Sequence, residues 1–364
     1  ESHALLAQTY HRTGETALAE REEALARSFP GTTRANDEVV RAMESQAIDA
    51  QSHARRGASL ADQGEFKAAE REFRIVLRLR DGGAQEWANL GGSLTGQGHY
   101  PEAVAAYERA VELEPDNVET LNNFAVTLLR TGDTRRSGAL LDRALAVEPA
   151  NADGHYHRGL VHAREQRLED AVAAYRRAIE LNPSHGGALT SYGLASVQQG
   201  RPDAARASWQ KAVDANPYNA SARYNLAVLT ASEGGHAEAI GLLDEGIRLN
   251  PGALDMTTML AWELATAPEG RLRDGVRAVQ LAEQTFRARP DDPRQAEVLG
   301  AALAEAGQFQ RAVSVSERAL QRAAGDVRSP ATARIERRLA DYRNGVPFHQ
   351  SAAGPGLGIA SAPD

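Results

Sequence analysis

Apolar and small residues recur through most of this chain at i, i+3, i+4 and i+7, the spacing of one helical face, with polar residues between them. The pattern runs for roughly a dozen residues, breaks at a glycine, resumes for about another dozen and breaks again at a proline. The breaks are themselves periodic: Pro115, Pro149, Pro183, Pro217 and Pro251 follow one another at intervals of 34 residues. Random placement of fifteen prolines would almost never produce this. A fixed period of that length marks a tandem array in which each repeat is one supersecondary element, here a helix, a tight turn and a second antiparallel helix.

With those prolines at position 32 of a 34-residue repeat, the other residues align. The repeat from Ala84 reads Trp87-x2-Leu90-Gly91-x2-Leu94, then Gly98, Ala103-x3-Tyr107, Ala110 and Pro115. The next carries Leu121, Phe124, Ala125, Leu128, Gly132, Leu141, Ala144 and Pro149, with Ser137 where alanine is usual. Gly159, Ala171, Tyr175 and Ala178 mark the repeat from Ala152, and Tyr192, Gly193, Gly200, Ala205, Trp209 and Ala212 the one from Gly186. This set resembles the tetratricopeptide repeat, over about 1–30 and 50–343. The resemblance implies an all-α fold, a right-handed α-solenoid or superhelix of about eight helix-turn-helix units with a capping helix at its C-terminal end. It also implies a concave surface lined by the first helix of each repeat.

The organisation follows from the alignment. Repeats begin at 50, 84, 118, 152, 186, 220, 254 and 293 and make the main array, 50–326. Asp81-Gly82-Gly83 replaces the proline of the repeat from Ala50, and two glycines stop a helix equally well. Pro290 lies 39 residues after Pro251, so the repeat from Leu254 holds five extra residues, expected in Ala267-Pro268-Glu269-Gly270 between its helices. Residues 1–30 form a degraded N-terminal repeat with Leu6, Ala7, Tyr10, Gly14 and Ala19, and 31–49 an irregular joint. Residues 327–350 are expected to cap the array with a helix from about Ala331 to Arg343, since the last repeat must cover its apolar face. The tail 351–364, built of small residues, glycine and proline, is expected to be flexible.

Composition narrows the chemistry. The chain has 364 residues, 42% hydrophobic and 25% charged, enough to bury a large apolar area. It contains no cysteine, which removes disulfides, thiolate metal sites and thiol nucleophiles but leaves the compartment open, cytoplasmic or exported. No segment approaches the length of a membrane span, so direct membrane insertion is not expected. The net charge is −8, with arginines scattered among glutamates, against a nucleic-acid partner. The chain opens on Glu1 inside a helical pattern, which predicts a processed or excised N-terminus. His155, His157 and His162 are close in sequence, but 155 and 162 stand two turns apart, about 10 Å along a helix, and 157 projects elsewhere. No metal site, cofactor or catalytic residue is expected from them, and acidic pairs such as Glu102 with Glu108 or Asp291 with Asp292 have nothing to place them in a dry pocket.

Recognition is left to the concave positions 2, 5, 6, 9, 12 and 13. Position 6 holds Asn89, Asn123 and Asn225, interrupted by His157 and Ser191; position 5 holds Asn122, Tyr156, Thr190 and Tyr224; position 13 holds Arg130 and Arg164. A recurring asparagine offers a donor and an acceptor to the backbone of an extended peptide. The row resembles the asparagine ladder in the repeat domain of O-linked N-acetylglucosamine transferases. The carboxylate clamp of chaperone-tail domains needs lysine or arginine at positions 2 and 6, and position 2 here holds Gln85, Glu119, Asp153, Gly187 and Ser221 instead. The expected function is a non-enzymatic scaffold that binds a protein or peptide partner, acidic or extended, in this groove. Two alternatives stand beside it: a repeat region of a larger enzyme or exported redox protein, and a self-assembling subunit, a homo-oligomer or part of a larger complex.

Overall fold

The computed structural model describes residues 2–28, 49–79, 82–322 and 330–351. The expected joint at 31–49 and tail at 351–364 fall almost wholly outside the described residues, as do Phe29-Pro30 and 327–329. Among the described residues all regular structure is helical. The chain divides into two compact blocks, Glu1–Gln166 and Arg167–Asp364.

The first block holds α1 (Ser2–Thr13), α2 (Thr16–Ser28), α3 (49–62), α4 (Phe66–Leu79), α5 (Ala84–Gly96), α6 (Tyr100–Leu113), α7 (Val118–Thr131), α8 (Thr134–Val147) and α9 (Ala152–Arg164). From α4 to α9 each helix packs on the next, and the first helices of successive repeats also touch, α5 on α7 and α7 on α9. The second block holds α10 (Leu168–Leu181), α11 (Gly186–Gln198), α12 (Pro202–Ala215), α13 (Ala220–Ser232), α14 (His236–Leu249) and α15 (Leu254–Thr266). It continues with α16 (Gly275–Ala288), α17 (Pro293–Glu305), α18 (Phe309–Arg322) and α19 (Pro330–Arg343). Here α13 touches α15, α15 touches α17, and α19 packs on both α17 and α18. The extra residues of the repeat from Leu254 lie between α15 and α16, around a short 3-10 turn at Gly270–Leu272.

Turn chemistry explains the hairpins. Position 15 of the repeat requires a left-handed backbone, and Gly98, Gly132, Gly200, Gly234 and Gly307 supply it, with φ from 71° to 88°. The repeat from Ala152 has Gln166 there, at φ 60°. Helix starts are also periodic. The side chains of Asn117, Asn151, His185 and Asn219, each 34 residues from the last, accept the backbone N–H three residues on at 2.7–3.1 Å.

Packing follows size. A Cβ on Gly91 would stand 2.9 Å from the Tyr107 ring, and one on Gly193 2.2 Å from Trp209 Nε1. An aromatic at position 24 therefore fills the space that glycine leaves at position 8. Ala103, Ala110, Ala205 and Ala212 are fully buried where the helices meet. The seam also admits charge: Arg158, in place of an apolar residue at position 7, lies over Gly138 and bonds Asp142 at 2.7 and 3.2 Å.

Candidate functional site

In the first block the face of the first helices carries most of the expected residues. Asn89 on α5 is half-buried, and its Oδ1 accepts from Gln85 Nε2 at 3.0 Å. Asn123 and Arg130 are exposed on α7. On α9, Tyr156 and His157 are half-buried with their rings 5.1 Å apart, and exposed Arg164 donates through Nη1 to the Leu129 carbonyl of α7. Half-buried Val126 and Leu160 occupy position 9 of the same face. Beneath it, Thr95 and Thr127 hydroxyls meet at 2.9 Å. Burial pushes the nearby Tyr107 phenol up to about 12, against those two hydroxyls, so it stays neutral.

Asn122 departs from the expectation of an exposed groove residue. It is buried, and its Nδ2 lies 3.4 Å from Oδ1 of Asn151, the cap of the next first helix. In the second block Thr190 occupies the same position 5 and receives a bond from the cap Asn219 at 3.2 Å. In both repeats position 5 is a joint to the following repeat, because the next cap residue comes within reach 29 positions on.

The second block differs further. Tyr224 and Asn225 are 4% and 2% exposed, so neither presents an open surface. The Tyr224 hydroxyl accepts from Arg294 Nη2 of α17 at 2.9 Å. α15 and α17 are buried on every side from Met256 to Ala267 and from Gln295 to Ala304. The cover includes the chain itself: after α19 it turns at Gly345 (φ 72°) and residues 346–351 run back without regular structure over α15. Phe348 lies 5.8 Å from the Trp262 ring, and Arg338 is stacked 4.8 Å from Trp262 and 3.9 Å from Phe348. Gln350 donates its backbone N–H to the Thr266 carbonyl at 2.7 Å and its Nε2 to Thr266 Oγ1 at 2.9 Å. None of these residues was among the sequence candidates. Trp262 and Glu263, at repeat positions where small or aliphatic residues usually stand, were the available signal.

Buried charge concentrates at the same place. Glu297 binds Arg334 at 2.6 and 2.8 Å and Arg338 at 2.5 Å. Glu263 lies 2.7 Å from Nδ1 of buried His236 and 3.3 Å from Gln350 Nε2. Burial holds the Glu263 carboxyl above its ordinary value despite these partners. Elsewhere, His155 Nε2 pairs with the Pro149 carbonyl at 3.0 Å, and His162 Nδ1 is 3.8 Å from Glu165. Among the described residues no group of three or more histidines and carboxylates is arranged to hold a metal ion, and no helix is long and apolar enough to cross a membrane.

Helical hairpins in tandem, a left-handed turn at position 15 and glycine-aromatic contacts between paired helices define an α-solenoid repeat protein. Models of the tetratricopeptide repeat match residues 122–185 and 193–253, and 1–22; a TPR repeat model matches 91–132. The chain is a tetratricopeptide-repeat protein. No curated protein sequence matches it. It is similar to a tetratricopeptide repeat protein of Parabacteroides merdae, at 17% identity and TM-score 0.52, over 70% of this chain and 99% of that one. It is also similar to PilF of Pseudomonas aeruginosa, at 17% identity and TM-score 0.50, over 58% of this chain and 96% of that one. At these identities the likeness establishes the fold. Repeats of this kind generally serve as protein-interaction scaffolds.

Proposed function

We propose that the chain is a non-enzymatic interaction scaffold whose first block binds an extended, acidic peptide segment across the first helices α5, α7 and α9. The observation that carries this reading is the row of Asn89, Asn123, Arg130, Tyr156, His157 and Arg164 on one helical face over half-buried Val126 and Leu160. Amides and a histidine can pair with a peptide backbone, while the guanidinium groups favour carboxylates. Tyr156 adds amphipathic contact area at low entropy cost. Asn122, Tyr224 and Asn225 have structural roles in this reading, because each is buried.

The test is selection from a random peptide library on the intact chain, with affinities of the enriched peptides measured by fluorescence anisotropy. Acidic peptides should be enriched. Replacing Asn89, Asn123 and Arg130 together by alanine should weaken their binding tenfold or more while leaving helicity and melting temperature nearly unchanged. Selected peptides that bind the triple variant as tightly as wild type would remove the first-block face from consideration.

A further inference from the structure

We propose that residues 346–351 are an intramolecular ligand, and that the surface they fill on α15 and α17 is a binding site for a partner segment of the same chemistry. That chemistry is an extended backbone bearing an aromatic side chain and, two residues on, a carboxamide. The inference extends to the second block the reading that first-helix faces take extended peptides.

Several features mark the segment as a guest on this face. α19 ends in a Schellman-type turn, with the Val346 N–H bonded to the Asp341 carbonyl at 3.0 Å around left-handed Gly345. Pro347 follows and cannot continue a helix. From there the segment has no regular structure, and its described backbone bond to the face is the one from Gln350 to Thr266. The remaining contacts are made by side chains. Phe348 takes the position over Trp262, completed by the Arg338 guanidinium, which Glu297 holds in place. The Gln350 amide reaches Thr266 Oγ1 and Glu263, while His349 Nε2 is 2.7 Å from Glu305 Oε2 at the half-buried rim.

Three of the residues receiving the segment stand at positions that the resemblance assigns to the concave surface: Trp262 at position 9, and Thr266 and Glu305 at position 13 of their repeats. A backbone bond at one end and an aromatic in a cation-lined slot at the other read an extended segment without requiring a helix or strand. The tether is short: four residues, 344–347, separate Arg343, the last of α19, from Phe348. A link of that length gives an effective concentration on the order of millimolar. The internal segment therefore stays bound with few contacts and excludes weak competitors.

The experiment uses the full chain and a fluorescent peptide of residues 344–351. In the variant with both Phe348→Ala and Gln350→Ala, the site is vacated and the peptide should bind at least tenfold more tightly than to wild type. A peptide carrying Phe348→Ala should lose that binding. A double variant of native helicity that takes up the peptide no better than wild type, or binds both peptides equally, overturns the proposal. Hydrogen exchange on the unaltered chain gives a second test that no folding defect can obscure. The Gln350 amide should exchange through local opening, faster than the central amides of α15; exchange at the same rate as α15 would make the segment a fixed part of the core. Failure of the first-block reading is distinguishable, since its alanine variants leave this peptide measurement unchanged.

Discussion

Substituting alanine at two helical glycines of the second block should change stability in opposite directions. A Cβ at Gly193 on α11 would lie 2.2 Å from Trp209 Nε1 and 2.5 Å from Cε2, whereas a Cβ at Gly241 on α14 meets nothing within 4 Å. Both gain about 1 kcal/mol of helix propensity from the exchange. At Gly241 that is the whole effect. At Gly193 the indole must move by roughly an ångström to reach ordinary contact, and Trp209 is fully buried with Nε1 donating to the Thr190 carbonyl at 3.0 Å. Overpacking costs about 1–3 kcal/mol, and stranding the indole N–H costs about 1–3 kcal/mol more if the ring turns away. Gly193→Ala should therefore destabilise by about 2 kcal/mol net, about 3 kcal/mol below Gly241→Ala. For a cooperative block of this size that gap corresponds to roughly 6–12 °C in melting temperature. Circular dichroism and tryptophan fluorescence would be followed together, because Trp209 and Trp262 report the second block and Trp87 the first. In a Trp209→Leu background the cost of Gly193→Ala should vanish, the signature of direct coupling. Equal melting temperatures for the two alanine variants would refute the argument from packing.

The turn at position 15 gives a prediction with no contact change. Gly98→Ala should cost about 1 kcal/mol although its Cβ would meet nothing, and Gln166→Gly should be neutral or stabilising by up to about 1 kcal/mol, read from urea midpoints. The opposite order would mean that backbone conformation does not limit these turns. Two carboxylates should respond to pH with opposite signs. A hydrogen bond from Arg311 holds Glu283 below its ordinary 4.5, with burial opposing and Arg287 assisting, so its stabilisation is present above that value and is lost as pH falls through the folded pKa. Burial raises Glu263 above 4.5, so its contribution is complete below 4.5 and is lost as pH rises through the folded pKa. Urea midpoints between about pH 3.5 and 7 should show the deficit of Glu283→Gln closing in acid and the wild-type advantage over Glu263→Gln growing. Parallel profiles for the two variants would contradict both assignments.

The repeat was legible because its determinants are local and recur. Pro115 to Pro251 mark helix ends, the position-15 glycines mark turns, and the glycine-aromatic pairs follow from size alone. The extra residues of the repeat from Leu254 fall between the helices as their proline spacing implies. The proposed binding face was only partly legible. Helical register identifies which residues share a face, and Asn89, Asn123 and Arg130 do remain on an accessible one. Register carries no information about what else arrives there. Asn122 is claimed by the cap residue of the next repeat, and Tyr224 by Arg294, 70 residues away. Contacts at such separations depend on how successive repeats stack, which a 34-residue period does not encode.

The residues that do encode it are those breaking the period. Position 9 is Gly92, Val126, Leu160, Leu194, Val228 and Ala301 in other repeats, but Trp262 in the repeat from Leu254. Position 10 is Ser93, Thr127, Val161, Ala195, Leu229 and Ala302, but there Glu263. A carboxylate at a position that is otherwise small or aliphatic is destabilising unless a non-repeat group supplies hydrogen bonds. Gln350, from outside the repeats, supplies one and His236, from the preceding repeat, another, and Phe348 with Arg338 covers the tryptophan. An array averages its repeats for stability, so a costly departure from the average persists where it meets something outside the array. On that argument the repeat from Leu254, where an aromatic and a buried acid stand side by side at otherwise small or aliphatic positions, is the proposed receiving site for an extended segment, and residues 346–351 lie on it in the structure.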